Sequence, residues 1–156
     1  MIIEYSKSKP NKETFQIKPI KKLIRKYVGL AYLDVFPYPF DLDALTLLGS
    51  CESESESGII LDPPYSDRQL TESYKKIGGM SILGNPVYWA QIKDEAARVC
   101  KPGGIVISFG WNSTGLGAVR NFEKIKILLV NHGAQHNDTI VTVERKMANL
   151  NRFWTR

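Results

Sequence analysis

The sequence predicts an α/β protein whose sheet ends in an antiparallel hairpin. Apolar runs typical of strands alternate with segments of helical periodicity, and the last two runs follow each other across a short loop. The strand-like runs are 30–36, 58–61, 105–109, 124–130 and 139–145. In such sheets, ligands bind beyond the carboxyl ends of the strands. We therefore expect Phe36, Asp62 and Gly110 to surround one pocket.

Length and composition exclude several classes of protein. A chain of 156 residues and 17.6 kDa, with 43% hydrophobic and 24% charged residues, predicts one globular domain over 1–156. No apolar run approaches the roughly 20 residues of a membrane helix, and the amino terminus lacks the apolar core of a secretion signal. We expect a cytoplasmic protein without a membrane partner.

Metal binding and disulfides are not expected. Cys51 and Cys100 stand apart without CxxC spacing, which argues against a disulfide framework or a thiolate zinc site. His132 and His136 flank Gly133 in the predicted hairpin loop, with no cysteine or carboxylate at ligand spacing. Cys100 is interpreted as a packing residue, because thiolate activation needs a nearby base or positive charge.

The positive charge is concentrated at the amino terminus. The net charge is +5 with a pI near 9.2, and residues 1–27 form a basic arm and helix. The basic residues of this segment are Lys7, Lys9, Lys12, Lys18, Lys21, Lys22, Arg25 and Lys26. Such an arm attracts a phosphate backbone. The alternative is a solvated helix face, since Ile20, Leu23, Ile24 and Tyr27 repeat at helical spacing; both interpretations stay open.

Prolines and capping residues predict where the elements begin and end. A helix starts near Pro19, and the strand at 30–36 is interrupted by Pro37 and Pro39. Asp41 or Asp43 then caps a short helix. After the strand at 58–61, the sequence predicts a helix at 69–76, a glycine-rich loop at 78–84 and a helix that begins at Asn85 and Pro86 and ends at 101–104.

The run Asp62, Pro63, Pro64 and Tyr65 at a strand end resembles the Asp-Pro-Pro-Tyr signature of S-adenosylmethionine-dependent amino methyltransferases, above all those that act on N6 of adenine in DNA. The resemblance implies S-adenosylmethionine as cofactor, DNA as partner and these four residues as the catalytic motif. It extends over 17–146, and the closing hairpin is similar to that of small phage-type and archaeal enzymes.

The chemistry explains why these residue types suit the reaction. An exocyclic adenine amine is a poor nucleophile, because its lone pair is delocalised into the ring. The Asp62 carboxylate and the Pro63 carbonyl can both accept hydrogen bonds from that amine, while the prolines stiffen the turn. Tyr65 offers an aromatic face on which a base turned out of the duplex can stack.

Further matches imply other site residues. The cofactor residues that the resemblance implies are Lys18, Pro19, Asp34, Phe36, Asp43, Ala44 and Phe109. The substrate residues are Ser66, Trp111 and Asn112. For Asp43, a plain helix cap is an equally good interpretation.

The cofactor loop departs from the family pattern. The family usually has Asp-Pro-Phe-x-Gly-x-Gly, whereas this chain has Asp34 to Phe40 without either glycine. Only six residues separate Phe36 from Asp43, too few for a crossover to another parallel strand. We therefore expect a Rossmann-like methyltransferase sheet shortened to about five strands. Ribose recognition is then rearranged, supplied by a partner subunit or lost, and the exposed sheet edge favours a homodimer or a partner subunit.

Two other functions fit the sequence. Some RNA methyltransferases that act on guanine N2 use the same tetrapeptide, so an RNA guanine or adenine enzyme is one alternative. The other is a methyltransferase-like nucleic-acid-binding subunit without catalytic competence, because its cofactor loop is cut down.

Overall fold

The computed structural model describes residues 1–36, 43–64, 85–133 and 137–148. These ranges contain a six-stranded sheet and three α-helices. The strands are β1 (Ile2–Lys7), β2 (Leu33–Asp34), β3 (Glu56–Leu61), β4 (Cys100–Gly110), β5 (Phe122–Asn131) and β6 (Thr139–Lys146). The helices are α1 (Lys18–Tyr27), α2 (Ala44–Ser50) and α3 (Pro86–Val99), with 3₁₀ turns at Thr14–Gln16 and Ala118–Arg120.

The strand order across the sheet is β1-β5-β6-β4-β3-β2. Strands β2, β3 and β4 pair in parallel, as do β1 and β5, while β6 lies antiparallel between β4 and β5. All strands except β6 therefore point the same way, and their carboxyl ends share one edge. This Rossmann-like α/β sheet with an antiparallel β5–β6 pair confirms the predicted fold class.

Helices cover both faces of the sheet. Ile20, Leu23 and Ile24 of α1 pack on one face, where Ile60 and Ile107 are also buried. Helices α2 and α3 pack on the other face, where they bury Leu48 and Ile92 against the alternate residues of the central strands. Side chains alternate between faces along a strand, so the unbroken apolar run of β3 fills both cores.

The amino-terminal segment differs from the prediction of a basic arm and helix. Residues Ile2–Lys7 form an edge strand parallel to β5, and the sheet has six strands rather than about five. Lys126 of β5 donates a hydrogen bond to Glu4, which ties β1 to the sheet. The helix of this segment is confirmed as α1, with three buried residues facing the sheet.

The opposite edge of the described sheet is β2, as expected from the short segment before Asp43. Only Leu33 and Asp34 pair with β3, opposite Ile59 and Ile60. No strand lies outside β2 in the described ranges.

Within the described ranges, no helix has both the length and the apolar character to cross a membrane. The same ranges contain no cluster of three or more His, Cys, Asp or Glu side chains that could hold a metal ion.

Candidate functional site

The turn after β3 lies at the carboxyl edge of the sheet, between the ends of β2 and β4. Leu61 pairs with Ser108 of β4, and Asp34 of β2 pairs with Ile60. Continued by one or two residues, this register sets Asp62 between Phe36 and Phe109. Asp62, Pro63 and Pro64 are half-buried. The structure thus brings together the three strand ends that the sequence predicted to surround one pocket.

Asp34 is a half-buried carboxylate at the end of β2. Its Oδ1 accepts a hydrogen bond from the backbone N–H of Phe36 at 3.1 Å. Burial raises its pKa, and the Phe36 hydrogen bond opposes that rise only in part. Burial and the nearby Asp34 charge also raise the pKa of Tyr32. A cationic group bound here would stabilise the charged form of Asp34.

The beginning of α1 lies beside the end of β4. The Phe15 ring, one turn before α1, lies 5.7 Å from the ring of Phe109 and 6.3 Å from the ring of Tyr32. Lys18 is the exposed first residue of α1, and no side chain caps this end. The first N–H groups of a helix have no partner within it and attract anions. Phe109 itself is buried on the α1 face of the sheet.

Asp43 caps α2. Its Oδ2 accepts hydrogen bonds from the backbone N–H groups of Leu45 at 3.0 Å and Thr46 at 3.1 Å. Its Oδ1 accepts a hydrogen bond from the Tyr88 hydroxyl of α3. Of the two interpretations of Asp43, the contacts support the helix cap, since both oxygens already have donors. Ala44 is fully buried beneath it.

Arg98 fixes the far end of α2 against α3. Its guanidinium donates hydrogen bonds to the carbonyls of Leu48 at 2.9 Å and Cys51 at 3.0 Å, and it pairs with Glu95 at 2.7 Å. Phe36, which follows β2, is buried and lies 6.0 Å from the ring of Trp89 of α3. These contacts hold α2, α3 and the end of β2 as one support behind the site.

Trp111 and Asn112 begin the loop that follows β4. Trp111 is 64% exposed, and the Asn112 side chain accepts a hydrogen bond from the Thr114 N–H at 2.9 Å. The loop continues as a crossover from β4 to β5. Both residues follow β4 at the same sheet edge as Asp62.

This crossover is held by Glu144, which the sequence analysis did not single out. The Glu144 carboxylate of β6 is fully buried and accepts hydrogen bonds from the N–H groups of Leu116 at 2.6 Å and Gly117 at 3.0 Å. Gly115 has φ +59°, and a Cβ there would overlap the Glu144 carboxylate. Arg120 closes the far side through an ion pair with Asp94 of α3 at 2.7 Å. The sequence signal from which this tight crossover could have been predicted is the pair of glycines at 115 and 117.

Several predicted features lie outside the described residues: Tyr65, Ser66, the helix at 69–76, the loop at 78–84 and His136. Of the described residues, Pro63 and Pro64 follow Asp62 directly, and Pro19 is the second residue of α1.

Cys100 and His132 both have structural surroundings. Burial raises the pKa of the Cys100 thiol to about 11, so this buried cysteine is not poised as a nucleophile. The His132 ring lies between the Ser8 carbonyl at 3.0 Å and the Thr139 hydroxyl at 2.9 Å. Both of its nitrogens therefore have hydrogen-bond partners, one just after β1 and one at the start of β6.

Comparisons with known proteins give structural neighbours only. No family model matches the sequence, and no curated protein matches it. A protein from Thermus thermophilus, named only provisionally as a DNA modification methylase, has a TM-score of 0.46 and 17% identity over 77% of this chain and 56% of its own. The chain thus spans little more than half of that protein. The N-methyltransferase NodS from Bradyrhizobium japonicum has a TM-score of 0.47 and 8% identity over 94% of this chain and 86% of its own.

Proposed function

We propose that this chain is an S-adenosylmethionine-dependent methyltransferase that modifies the exocyclic N6 amine of adenine in DNA. The observation that carries the proposal is the position of Asp62 and its two prolines. They follow the central parallel strand β3, at the edge where β2 and β4 also end. Open α/β sheets bind their ligands at this edge.

Asp62 and the Pro63 carbonyl act on the amine. Both accept its hydrogen bonds, which localises the nitrogen lone pair for attack on a methyl group. The prolines contribute no N–H donors that would compete for these acceptors. Because two prolines restrict the backbone of this turn, the acceptors would need little reorganisation during the reaction. In the same proposal, Tyr65 stacks on the target base, and Ser66, Trp111 and Asn112 contact the substrate strand.

S-adenosylmethionine would supply the methyl group. The described residues fit the amino-acid end of this cofactor. The uncapped N-terminus of α1, with Lys18 and Pro19, suits a carboxylate, while the half-buried Asp34 suits an ammonium group. In this proposal the buried residues that support the cofactor site are Phe36, Phe109 and Ala44. Asp43 would act through α2, since its oxygens bind Leu45, Thr46 and Tyr88.

The described residues fit the ribose end of the cofactor less well, and this favours a second candidate function. No strand lies beyond β2 in the described ranges, so a strand-end acid for the ribose hydroxyls is absent from them. A methyltransferase-like subunit that binds nucleic acid without catalysis would tolerate this loss. It would bind DNA in a salt-dependent way without saturable binding of the cofactor.

The test is methyl transfer from labelled S-adenosylmethionine to DNA and, in parallel, to RNA. Replacement of Asp62 by Ala should lower the rate on DNA by about 100-fold or more, because a positioned acceptor in the transition state is lost. Glu123→Gln is the matched control, since this exposed carboxylate opens β5 at the opposite edge of the sheet.

The outcomes separate the candidates. Transfer to RNA alone would assign the RNA alternative. An undiminished rate in the Asp62→Ala variant would contradict the proposed role of Asp62. No transfer by the wild-type chain to either polymer, together with salt-dependent DNA binding, would favour the non-catalytic subunit.

A further inference from the structure

A concave site lies on the same edge of the sheet as Asp62, several strands away from it. It is a cleft of about 520 Å³ at the carboxyl ends of β1 and β5 and the start of β6. Its lining includes Tyr5, Lys7, Leu129, Asn131, Asp138 and Ile140. Clefts of this size hold small organic groups such as one nucleotide.

The strand register runs from this cleft, along the face of the sheet opposite α1, to the end of β4. Gly110 pairs with Ile140, Ile140 with Leu129, and Leu129 with Tyr5, so these four residues form one row across β4, β6, β5 and β1. At about 4.8 Å a strand, the row is about 14 Å long, or roughly four bases stacked at 3.4 Å. Trp111 follows Gly110 at one end, and Tyr5, 77% exposed, stands at the other.

Two polar side chains of the cleft, Asn131 and Asp138, are bound to each other. Asn131 donates to both Asp138 oxygens at 3.0 and 3.2 Å, and its own oxygen accepts from the Gly133 N–H at 3.2 Å. Asp138 also accepts from the His132 N–H at 3.2 Å. These groups build a fixed wall, with little capacity left to read the hydrogen-bonding edge of a base.

The remaining recognition groups are one aromatic ring and a set of cations. Lys7 lines the cleft, and Lys9 and Lys12 follow it along the chain. The Ser8 N–H donates to the Asn131 carbonyl at 3.0 Å, which keeps the chain beyond β1 against this edge. Among the described residues, the only acidic side chain in the lining is Asp138, whose charge is met by its own donors. The surface suits a polyanion with flat apolar groups.

We propose that this cleft binds nucleotides of the substrate strand next to the target base, with Tyr5 stacked on a base and Lys7 against a phosphate. The proposal rests on the proposed function in one respect, namely that the target base enters at Asp62. Stacking and phosphate contacts do not distinguish the bases. The cleft therefore contributes affinity and strand position, and no sequence preference.

The test is binding of fluorescein-labelled single-stranded DNA of mixed sequence by fluorescence anisotropy, without cofactor. Tyr5→Ala should weaken binding by about 5- to 100-fold, while Tyr5→Phe, which keeps the ring, should bind as wild type does. Lys7→Gln should lower the slope of log K against log salt by about 0.7. Lys101→Gln, an exposed lysine at the start of β4 on the opposite edge, should leave the slope unchanged.

Two results would overturn the proposal. One is no detectable binding of single strands by the wild-type chain, and the other is wild-type affinity in Tyr5→Ala. If, in the second case, the oligomeric state of Tyr5→Ala also changes in size-exclusion chromatography, the cleft is instead an interface between copies. Because no cofactor is added, absent methyl transfer would count against the proposed function alone.

Discussion

Two carboxylates of this protein differ in what surrounds them. We call the region of Asp34 and the N-terminus of α1 the mouth of the site. There, Asp34 is half-buried, accepts one backbone hydrogen bond and has a raised pKa. Beneath the crossover, Glu144 is fully buried, accepts two backbone hydrogen bonds and fills the space beside Gly115. Both Glu144 oxygens accept hydrogen bonds from the crossover, whereas the described residues donate to one Asp34 oxygen only, which in the proposed function leaves the other for a ligand. A buried acid is thus structural or functional according to whether its donors are already in place.

The largest expected effect is on the crossover. Replacement of Gly115 by Ala should destabilise the protein by about 3 kcal/mol, because alanine is strained at φ +59° and its Cβ displaces the Glu144 carboxylate from its donors. Urea denaturation measures this. Gly103→Ala is the matched control: its φ is +78°, but no atom of the described residues lies within 4 Å of the added Cβ, so only about 1 kcal/mol should be lost. Equal losses of stability in both variants would show that a Cβ at position 115 does not displace the Glu144 carboxylate.

Glu144→Gln should destabilise the protein by about 2 kcal/mol. The variant keeps the shape of the side chain but turns one charge-assisted acceptor into an amide group that faces a backbone N–H. Glu123→Gln, on the exposed start of β5, should change the free energy of unfolding by less than about 0.5 kcal/mol. A stable Glu144→Gln variant would show that the two N–H groups do not depend on the charge.

At the mouth, the same kind of change should have the opposite effect on stability. Asp34→Asn keeps an acceptor for the Phe36 N–H and removes a charge that is partly buried, so thermal stability at pH 7 should rise. Affinity for S-adenosylmethionine should fall by about 10-fold or more, because the partner of its ammonium group is lost. Lower stability at pH 7 would place Asp34 with Glu144 as a structural acid.

The pH dependence gives this prediction a sign. The folded-state pKa of Asp34 lies above its unfolded value, so its contribution to stability is complete below the unfolded pKa and is lost as pH rises through the folded one. The stability gap between Asp34→Asn and wild type should therefore widen upward from about pH 4 and become constant at higher pH. Thermal unfolding of both proteins between pH 3 and pH 8 measures the gap.

The smallest expected change in stability concerns two buried hydroxyl groups on β4 and β6. Ser108 and Thr142 pair across β4 and β6, and neither hydroxyl has a hydrogen-bond partner in the described part of the chain. Thr142→Val should leave stability unchanged or raise it by up to about 1 kcal/mol, since a buried hydroxyl without a partner is replaced by a methyl group. A loss above 1 kcal/mol in urea denaturation would reveal a partner for Thr142.

Features with local signals were predictable from the sequence. The Asp62 turn was predicted because an apolar run meets two prolines, and α2 and α3 because Asp43 and Asn85 cap them. The shortened β2 edge followed from the six residues before Asp43. In each of these cases, neighbours in sequence determine the structure.

Features that depend on distant partners were not predictable in this way. Strand β1 is short and mostly exposed, so its sequence has no core pattern, and its pairing partner β5 lies more than 100 residues away. Glu144 reads as an ordinary strand charge, because its burial is produced by the crossover that folds over it. Neither partner can be identified from local periodicity.

The most direct measurement is calorimetric titration of the wild-type chain with S-adenosylmethionine and with its demethylated product. If the mouth retains ligand capacity at Asp34 and the N-terminus of α1, both ligands should bind with micromolar dissociation constants, and Asp34→Asn should weaken both. Absence of binding at millimolar ligand would contradict the assignment of the mouth as a cofactor site.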